Sequence, residues 1–123
     1  MIVKEKNWKK TILDKSKKIK FAIKCLNKTG LQIILVQDKK KFFGTLTDGD
    51  IRRGLVKGLS LNDSIDKITF QSPVITGGHE NLSTIKNLME VNSIKSLPIV
   101  DKEKKICGLY LNNLKSNNIN KPL

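Results

Sequence analysis

The chain has 123 residues, the size of one ordinary domain, and carries 24 Lys and Arg against 11 Asp and Glu, a net charge of +13. No apolar run approaches the ~20 residues of a membrane span, and the opening Met1-Ile2-Val3-Lys4-Glu5-Lys6 lacks the apolar centre of a signal peptide. One His and two distant cysteines, Cys25 and Cys107, exclude a zinc site assembled within the chain.

The cations are mostly Lys, spread along the sequence with no aromatic interleaving. A solvated basic surface is therefore expected, and neither nucleic acid nor membrane as a partner. The expected setting is cytoplasmic, with both thiols reduced and buried. Aromatic residues form 5% of the chain, so its core must be mostly Ile, Leu and Val.

In chain order, Trp8 is expected to pack where the N-terminal segment meets the first helix. Ile12-Leu13 reads as a short strand. Ile19, Ala22, Ile23 and Leu26 recur at i, i+3, i+4 and i+7, one apolar helical face, with Ser16 as N-cap and Gly30 as C-terminal stop. The continuous run Ile33-Ile34-Leu35-Val36 fits a strand covered on both faces. A charged turn and a second strand ending at Gly44 make a hairpin. A helix follows from Asp48 to about Lys57. Residues 59–67 form a connector with a turn of helix around 63–68. Val74-Ile75, after Pro73, reads as another short strand. Leu82, Ile85 and Met89, with Leu88 beside them, form the next helical face, with Asn81 as its cap. Leu97-Pro98-Ile99-Val100 is a second covered strand, in which Pro98 requires a strand start or an edge. Residues 116–123 are polar and end in Pro122-Leu123, the composition of a linker.

Two passages repeat. Leu35 to Gly44 lies over Ile99 to Gly108 at an offset of 108 − 44 = 64 residues. Each copy reads strand, helix, strand, strand, helix. Between them the densest chemistry sits in Gly44-Thr45-Leu46-Thr47-Asp48-Gly49-Asp50-Ile51-Arg52-Arg53, a strand breaking into a helix. The N–H groups of a helix start favour anions, and a carboxylate accepts hydrogen bonds from sugar hydroxyls. That combination suits a phosphorylated nucleoside. The same residues also fit a capped helix with surface ion pairs. His79, in a Gly77-Gly78-His79-Glu80 loop, reads as a loop residue. With no Gly-rich phosphate loop and no catalytic constellation, the chain itself is not expected to be an enzyme.

A unit of ~60 residues occurring twice resembles the cystathionine-β-synthase (CBS) domain pair, the Bateman module. Ser96-Leu97-Pro98-Ile99-Val100-Asp101 and Gly44-Thr45-Leu46-Thr47-Asp48-Gly49-Asp50 carry the match, which covers residues 8 to 115. The resemblance implies an α/β fold of two β-α-β-β-α repeats, 8–60 and 61–115, related by pseudo-twofold symmetry. Residues 116–123 would lead to a downstream domain. It implies an adenine nucleotide (AMP, ADP or ATP class) as effector, with no required cofactor. Thr47 would touch its phosphate and Asp50 its ribose. Arg52 and Arg53 would add phosphate contacts or form ion pairs. Gln32 and Lys95 would lie near the adenine, with backbone support from Ser72 to Val74. Leu111 and Leu114 replace Thr47 and Asp50 in the second copy, so one cleft at most should bind. Thr45 to Leu55, followed by Gly58-Leu59-Ser60-Leu61, is similar to the CBS pair that precedes a bacterial sugar-phosphate nucleotidyltransferase domain. This implies that the chain is the regulatory half of such an enzyme. The helix faces not used within the pair are expected to bury against a second copy, in a homodimer. The alternative is a structural oligomerisation module that binds no nucleotide.

Overall fold

The two continuous apolar runs become β-strands at the hearts of two small sheets. The computed structural model describes residues 1–112. One sheet has the order β2 (Ile12–Asp14), β3 (Ile34–Asp38), β4 (Lys41–Leu46); the other has the order β1 (Ile2–Lys4), β6 (Ile106–Asn112), β5 (Ser96–Val100). Strand β2 runs parallel to β3, while β3–β4, β5–β6 and β1–β6 are antiparallel. The helices are α1 (Ile19–Thr29), α2 (Asp48–Val56) and α3 (Leu82–Val91), with short 3-10 turns at Trp8–Thr11 and Ile65–Lys67.

The repeat survives in three dimensions with one interruption. Gly44 faces Val36 across the first hairpin, but Gly108 faces Ile99 across the second. The second turn holds the extra residue. In the first turn Lys39 and Lys40 both take left-handed φ values of 51° and 69°, the geometry of a two-residue hairpin turn usually reserved for Asn and Gly. In the second, Asp101 Oδ1 accepts from the N–H groups of Glu103 (2.9 Å) and Lys105 (2.8 Å). The Phe42 N–H then donates to Lys104 O at 2.7 Å, tying one hairpin to the other.

A feature invisible in the sequence is a reciprocal crossing. Strand β1 precedes the first repeat but pairs with β6 of the second sheet, and the Glu5 N–H donates to Leu109 O at 2.8 Å. The segment before the second repeat crosses the other way. Phe70 pairs with Thr45 of β4, its N–H donating to Thr45 O (2.9 Å) and its carbonyl accepting from Thr45 N–H (3.0 Å).

The core follows this arrangement. One cluster belongs to the first repeat (Ile19, Ala22, Ile34, Val36, Leu46, Ile51, Ile65) and one to the second (Ile85, Met89, Leu97, Ile99, Tyr110). A third joins them through Ile33, Leu35, Ile106 and Leu109, with Trp8 packed against it.

Several local expectations are corrected. Ser16 does not cap α1: its N–H and hydroxyl bind the Asp14 carboxylate (3.0 and 2.5 Å), and Lys18 occupies the N-cap without a side-chain bond. Gly30 does end the helix, at φ 69°. Ile23 and Leu82 lie on exposed sides of their helices, because the buried stripes run through Ile19–Ala22 and Ile85–Met89. Asn81 caps α3, accepting from Thr84 N–H at 2.8 Å. The strand expected at Val74-Ile75 contracts to a single bridge between Thr76 and Ile99, between Pro73 and the Gly77-Gly78 pair. Pro98 lies on the edge strand β5, where its carbonyl accepts from Thr76 N–H (3.0 Å). Cys25 is half-buried and Cys107 is exposed, both free, so the expected burial fails for Cys107. The closing helix of the second copy, Leu114 and the linker 116–123 lie outside the described residues.

Candidate functional site

Strand β4 presents its side chains alternately to the two faces of its sheet. Leu46 points into the first-repeat core and is fully buried, so Thr45 and Thr47 share the opposite face. That face borders an open cleft of about 1470 Å³ between the repeats. Thr45 on the strand and Thr47 one residue past its end, still in extended backbone, thus line the cleft together as one wall, and α2 begins where the wall ends.

Thr47 is locked at that junction by a reciprocal capping box. Its hydroxyl accepts from Asp50 N–H (3.4 Å), and Asp50 Oδ2 accepts from the Thr47 N–H (2.9 Å) and hydroxyl (3.0 Å). The other oxygen, Asp50 Oδ1, pairs with Arg53 at 2.7 Å. Both carboxylate oxygens are therefore engaged, and the side chain is 18% exposed.

The remaining walls come from chain junctions. After α1, Gly30, Leu31, Gln32 and Ile33 turn into the first sheet; after α3, Asn92 to Ser96 make the matching passage. Gln32 (φ 67°) and Ser93 (φ 54°) are held in the left-handed region at these corners, a conformation that costs a non-glycine residue of order 1 kcal/mol. Ser72, Pro73 and Val74 close one side, and Val3 and Glu5 reach in from β1.

The cleft thus brings together five of the residues singled out in the sequence: Gln32, Thr47, Ser72, Val74 and Lys95. Asp50 and Arg52 are not among its lining residues. Asp50 turns back to Thr47 and Arg53, while Arg52 reaches Asp48 on the exposed side of α2, one helical turn away. Leu111 lines the cleft and offers neither donor nor acceptor to a ligand. Sequence reasoning missed Thr45, Phe70 and Glu5. The i, i+2 spacing of Thr45 and Thr47 on a strand was a usable signal for the first. Nothing local signalled the other two, which arrive by the reciprocal crossing.

The lining is close to balanced in charge despite the basic chain, with Glu5, Asp48 and Lys95 as its charged members. Among the described residues no group of three or more His, Cys, Asp and Glu side chains is placed to hold a metal ion. His79 lies exposed in its loop, away from the cleft lining. No described helix is long and apolar enough to cross a membrane.

No protein-family model matches the chain. Among curated proteins, it is 31% identical over 86 residues to a probable arabinose 5-phosphate isomerase of Haemophilus influenzae, covering 68% of this chain and 26% of the relative. It is 30% identical over 84 residues to arabinose 5-phosphate isomerase GutQ of Salmonella typhi, again 68% of this chain and 26% of the relative. The chain therefore spans about a quarter of the length of these relatives. Among solved structures, a putative signal-transduction protein with CBS domains from Burkholderia ambifaria superposes with a TM-score of 0.71 at 21% identity, covering 92% of this chain and 85% of that one. The CBS-domain pair of protein MJ0100, in complex with 5′-methylthioadenosine and S-adenosyl-L-methionine, gives 0.69 at 21% identity over 88% and 86%. The cytosolic domain of the Mg2+ channel MgtE in complex with ATP gives 0.69 at 16% identity over 82% and 41%. The two sheets, their helices and the cleft between them have the fold of a CBS-domain pair.

Proposed function

We propose that this chain is a regulatory module that binds an adenine nucleotide in the cleft between its repeats and modulates an attached catalytic domain. The observation that carries this reading is the Thr45–Thr47 wall ending at the start of α2, with Asp48 and Gly49 also lining the cleft. A phosphate seated there would meet the Thr45 hydroxyl and the positive end of a helix, and would gain the Thr47 hydroxyl as donor once that proton leaves Asp50 Oδ2. The net charge of +13 favours the approach of an anion. Solved neighbours of the same fold are described with S-adenosyl-L-methionine, 5′-methylthioadenosine and ATP, which supports the adenine class.

The attached domain is proposed to act on a sugar phosphate. The relatives reported above are isomerases of a pentose phosphate. They support that substrate class and lend nothing to the nucleotidyltransferase expected from the motif wording. The ribose contact expected of Asp50 requires its carboxylate to leave either the Thr47 cap or Arg53. Calorimetric titration of AMP, ADP, ATP and S-adenosyl-L-methionine into the intact chain tests the reading. Micromolar to low-millimolar binding of at least one is expected, and no heat from any of the four overturns it.

The engagement of both Asp50 oxygens favours a second reading, a module that binds no nucleotide and holds copies of the chain together. Phe21 and Ile23 on α1 and Val56 on α2 are exposed apolar residues that a homodimer would cover. This reading predicts a dimer in solution whose melting temperature does not respond to nucleotide.

A further inference from the structure

Along the sequence the lysines are spread, but the fold gathers six of them at one place. The bond from Phe42 N–H to Lys104 O fastens the two hairpin tips together. Lys39, Lys40 and Lys41 stand exposed on the first tip, and Lys102, Lys104 and Lys105 on the second. None of the six forms an ion pair among the described residues. Of the carboxylates at the tips, Asp38 pairs with Lys15 at 3.2 Å and Asp101 is turned onto backbone N–H groups. That leaves Glu103 against six ammonium groups. Lys39 (φ 51°), Lys40 (φ 69°) and Lys104 (φ 69°) also hold a left-handed backbone that Asn or Gly would adopt with less strain. Both copies thus keep lysine where the local conformation disfavours it, and backbone strain of this kind clusters at functional places.

The patch is cationic without being apolar. No large apolar side chain stands exposed at 36–46 or 98–108, and Phe42 and Phe43 pack against the core clusters. A protein partner normally adds an apolar centre, from which lysine is depleted. A bilayer holds a protein stably only when a polybasic patch is joined by an inserted chain. Stacking on unpaired bases needs exposed rings. A duplex needs none of these, because neutralising its phosphates releases condensed counterions, and that release alone gives sequence-independent affinity. We infer that the joined hairpin tips are a docking surface for the phosphate backbone of a nucleic-acid duplex. None of the six lysines lines the cleft, so the inference goes beyond the nucleotide reading and stands independently of it.

The test is fluorescence anisotropy of a labelled DNA duplex of about 20 base pairs, titrated with the intact chain over a range of salt concentrations. The triple variant Lys39→Gln, Lys40→Gln, Lys104→Gln should bind at least tenfold more weakly at about 50 mM salt, with the slope of log affinity against log salt shallower by about 2–3. The control removes the same charge elsewhere, by Lys17→Gln, Lys20→Gln and Lys24→Gln around Phe21 on α1. It should bind like the parent chain, as should Lys39→Arg, Lys40→Arg, Lys104→Arg. Lys39→Asn, Lys40→Gly relieves the strained turn and loses two of the charges, so it gives the same readout should the triple variant fail to fold. An equal loss in the α1 control overturns the inference, because net charge alone would then account for binding. Tighter binding of the single strand than of the duplex also overturns it, as does binding to phosphatidylserine vesicles without binding to the duplex. No duplex binding by the parent chain at low salt overturns it outright and leaves the nucleotide reading untouched.

Discussion

A Cβ built on Gly44 would stand 2.3 Å from the carbonyl oxygen of Phe70 and 2.6 Å from Thr69 Cγ2. The inter-repeat segment can lie on β4 only because residue 44 has no side chain. Gly44→Ala must push that segment off the strand, breaking the Thr45–Phe70 pair and shifting one wall of the cleft. We expect a destabilisation of about 1–3 kcal/mol, measured by urea unfolding, together with weaker nucleotide binding. Parent-like stability would show that the segment is not held where Gly44 admits it.

The capping box at Thr47 and Asp50 should be energetically visible whether or not the cleft binds a ligand. Thr47→Ala removes an N-cap, worth about 1 kcal/mol, and should lower the melting temperature by about 4 °C in a domain of this size. Thr47→Ser keeps the cap and should melt close to the parent. An equal loss in both variants would mean that the methyl group, not the hydroxyl, stabilises the junction.

The hairpin turn at Lys39-Lys40 places two lysines in a backbone conformation better suited to Asn-Gly. The double substitution Lys39→Asn, Lys40→Gly should stabilise the chain by about 0.5–2 kcal/mol without altering the cleft. A fall in melting temperature would indicate that the lysine side chains make contacts worth more than the strain.

Stability should decline at both extremes of pH for identifiable reasons. The Lys67 ammonium beside Asp63 holds that carboxyl below its usual range, as the Ser16 hydroxyl does for Asp14. A carboxylate depressed in the folded state stabilises above its unfolded pKa, and loses that contribution as pH falls through the folded one. Both groups therefore lose their stabilising contribution progressively as pH falls below the ordinary value of 3.8. Lys67 is raised by the same pairing with Asp63, so its contribution is complete below 10.5 and lost as pH rises through the folded value. Melting scans of Lys67→Met should show a smaller alkaline loss than the parent. An identical alkaline limb in the two proteins would exclude the pair as its source.

Much of this was legible because local patterns and the repeat agreed. The apolar runs at 33–36 and 97–100, the Gly30 stop and the Asn81 cap each required only neighbours in sequence. Thr47 was legible as a junction residue, but its two readings, ligand contact and cap, share the same atoms. The cap reading describes the geometry present, and it explains why Asp50 turns away from the cleft. Phe70, Glu5 and β1 were illegible for one physical reason. Their partners lie across the pseudo-twofold, on strands 25 or more residues away, and no periodicity records such pairing. Ser16 failed as a cap because α1 begins only at Ile19, with Lys18 in the N-cap position, while the Ser16 hydroxyl donates back to Asp14.

The crossing of β1 onto the second sheet, and of residues 69–71 onto the first, makes the two halves mutual creditors of backbone hydrogen bonds. A cut between residues 60 and 61 would leave each fragment with an unpaired sheet edge and an open half of the shared Ile33–Leu35–Ile106–Leu109 cluster. Neither fragment should fold alone, and mixing the two should restore structure. The intact chain should melt in one transition, so a nucleotide held by one half would stabilise both.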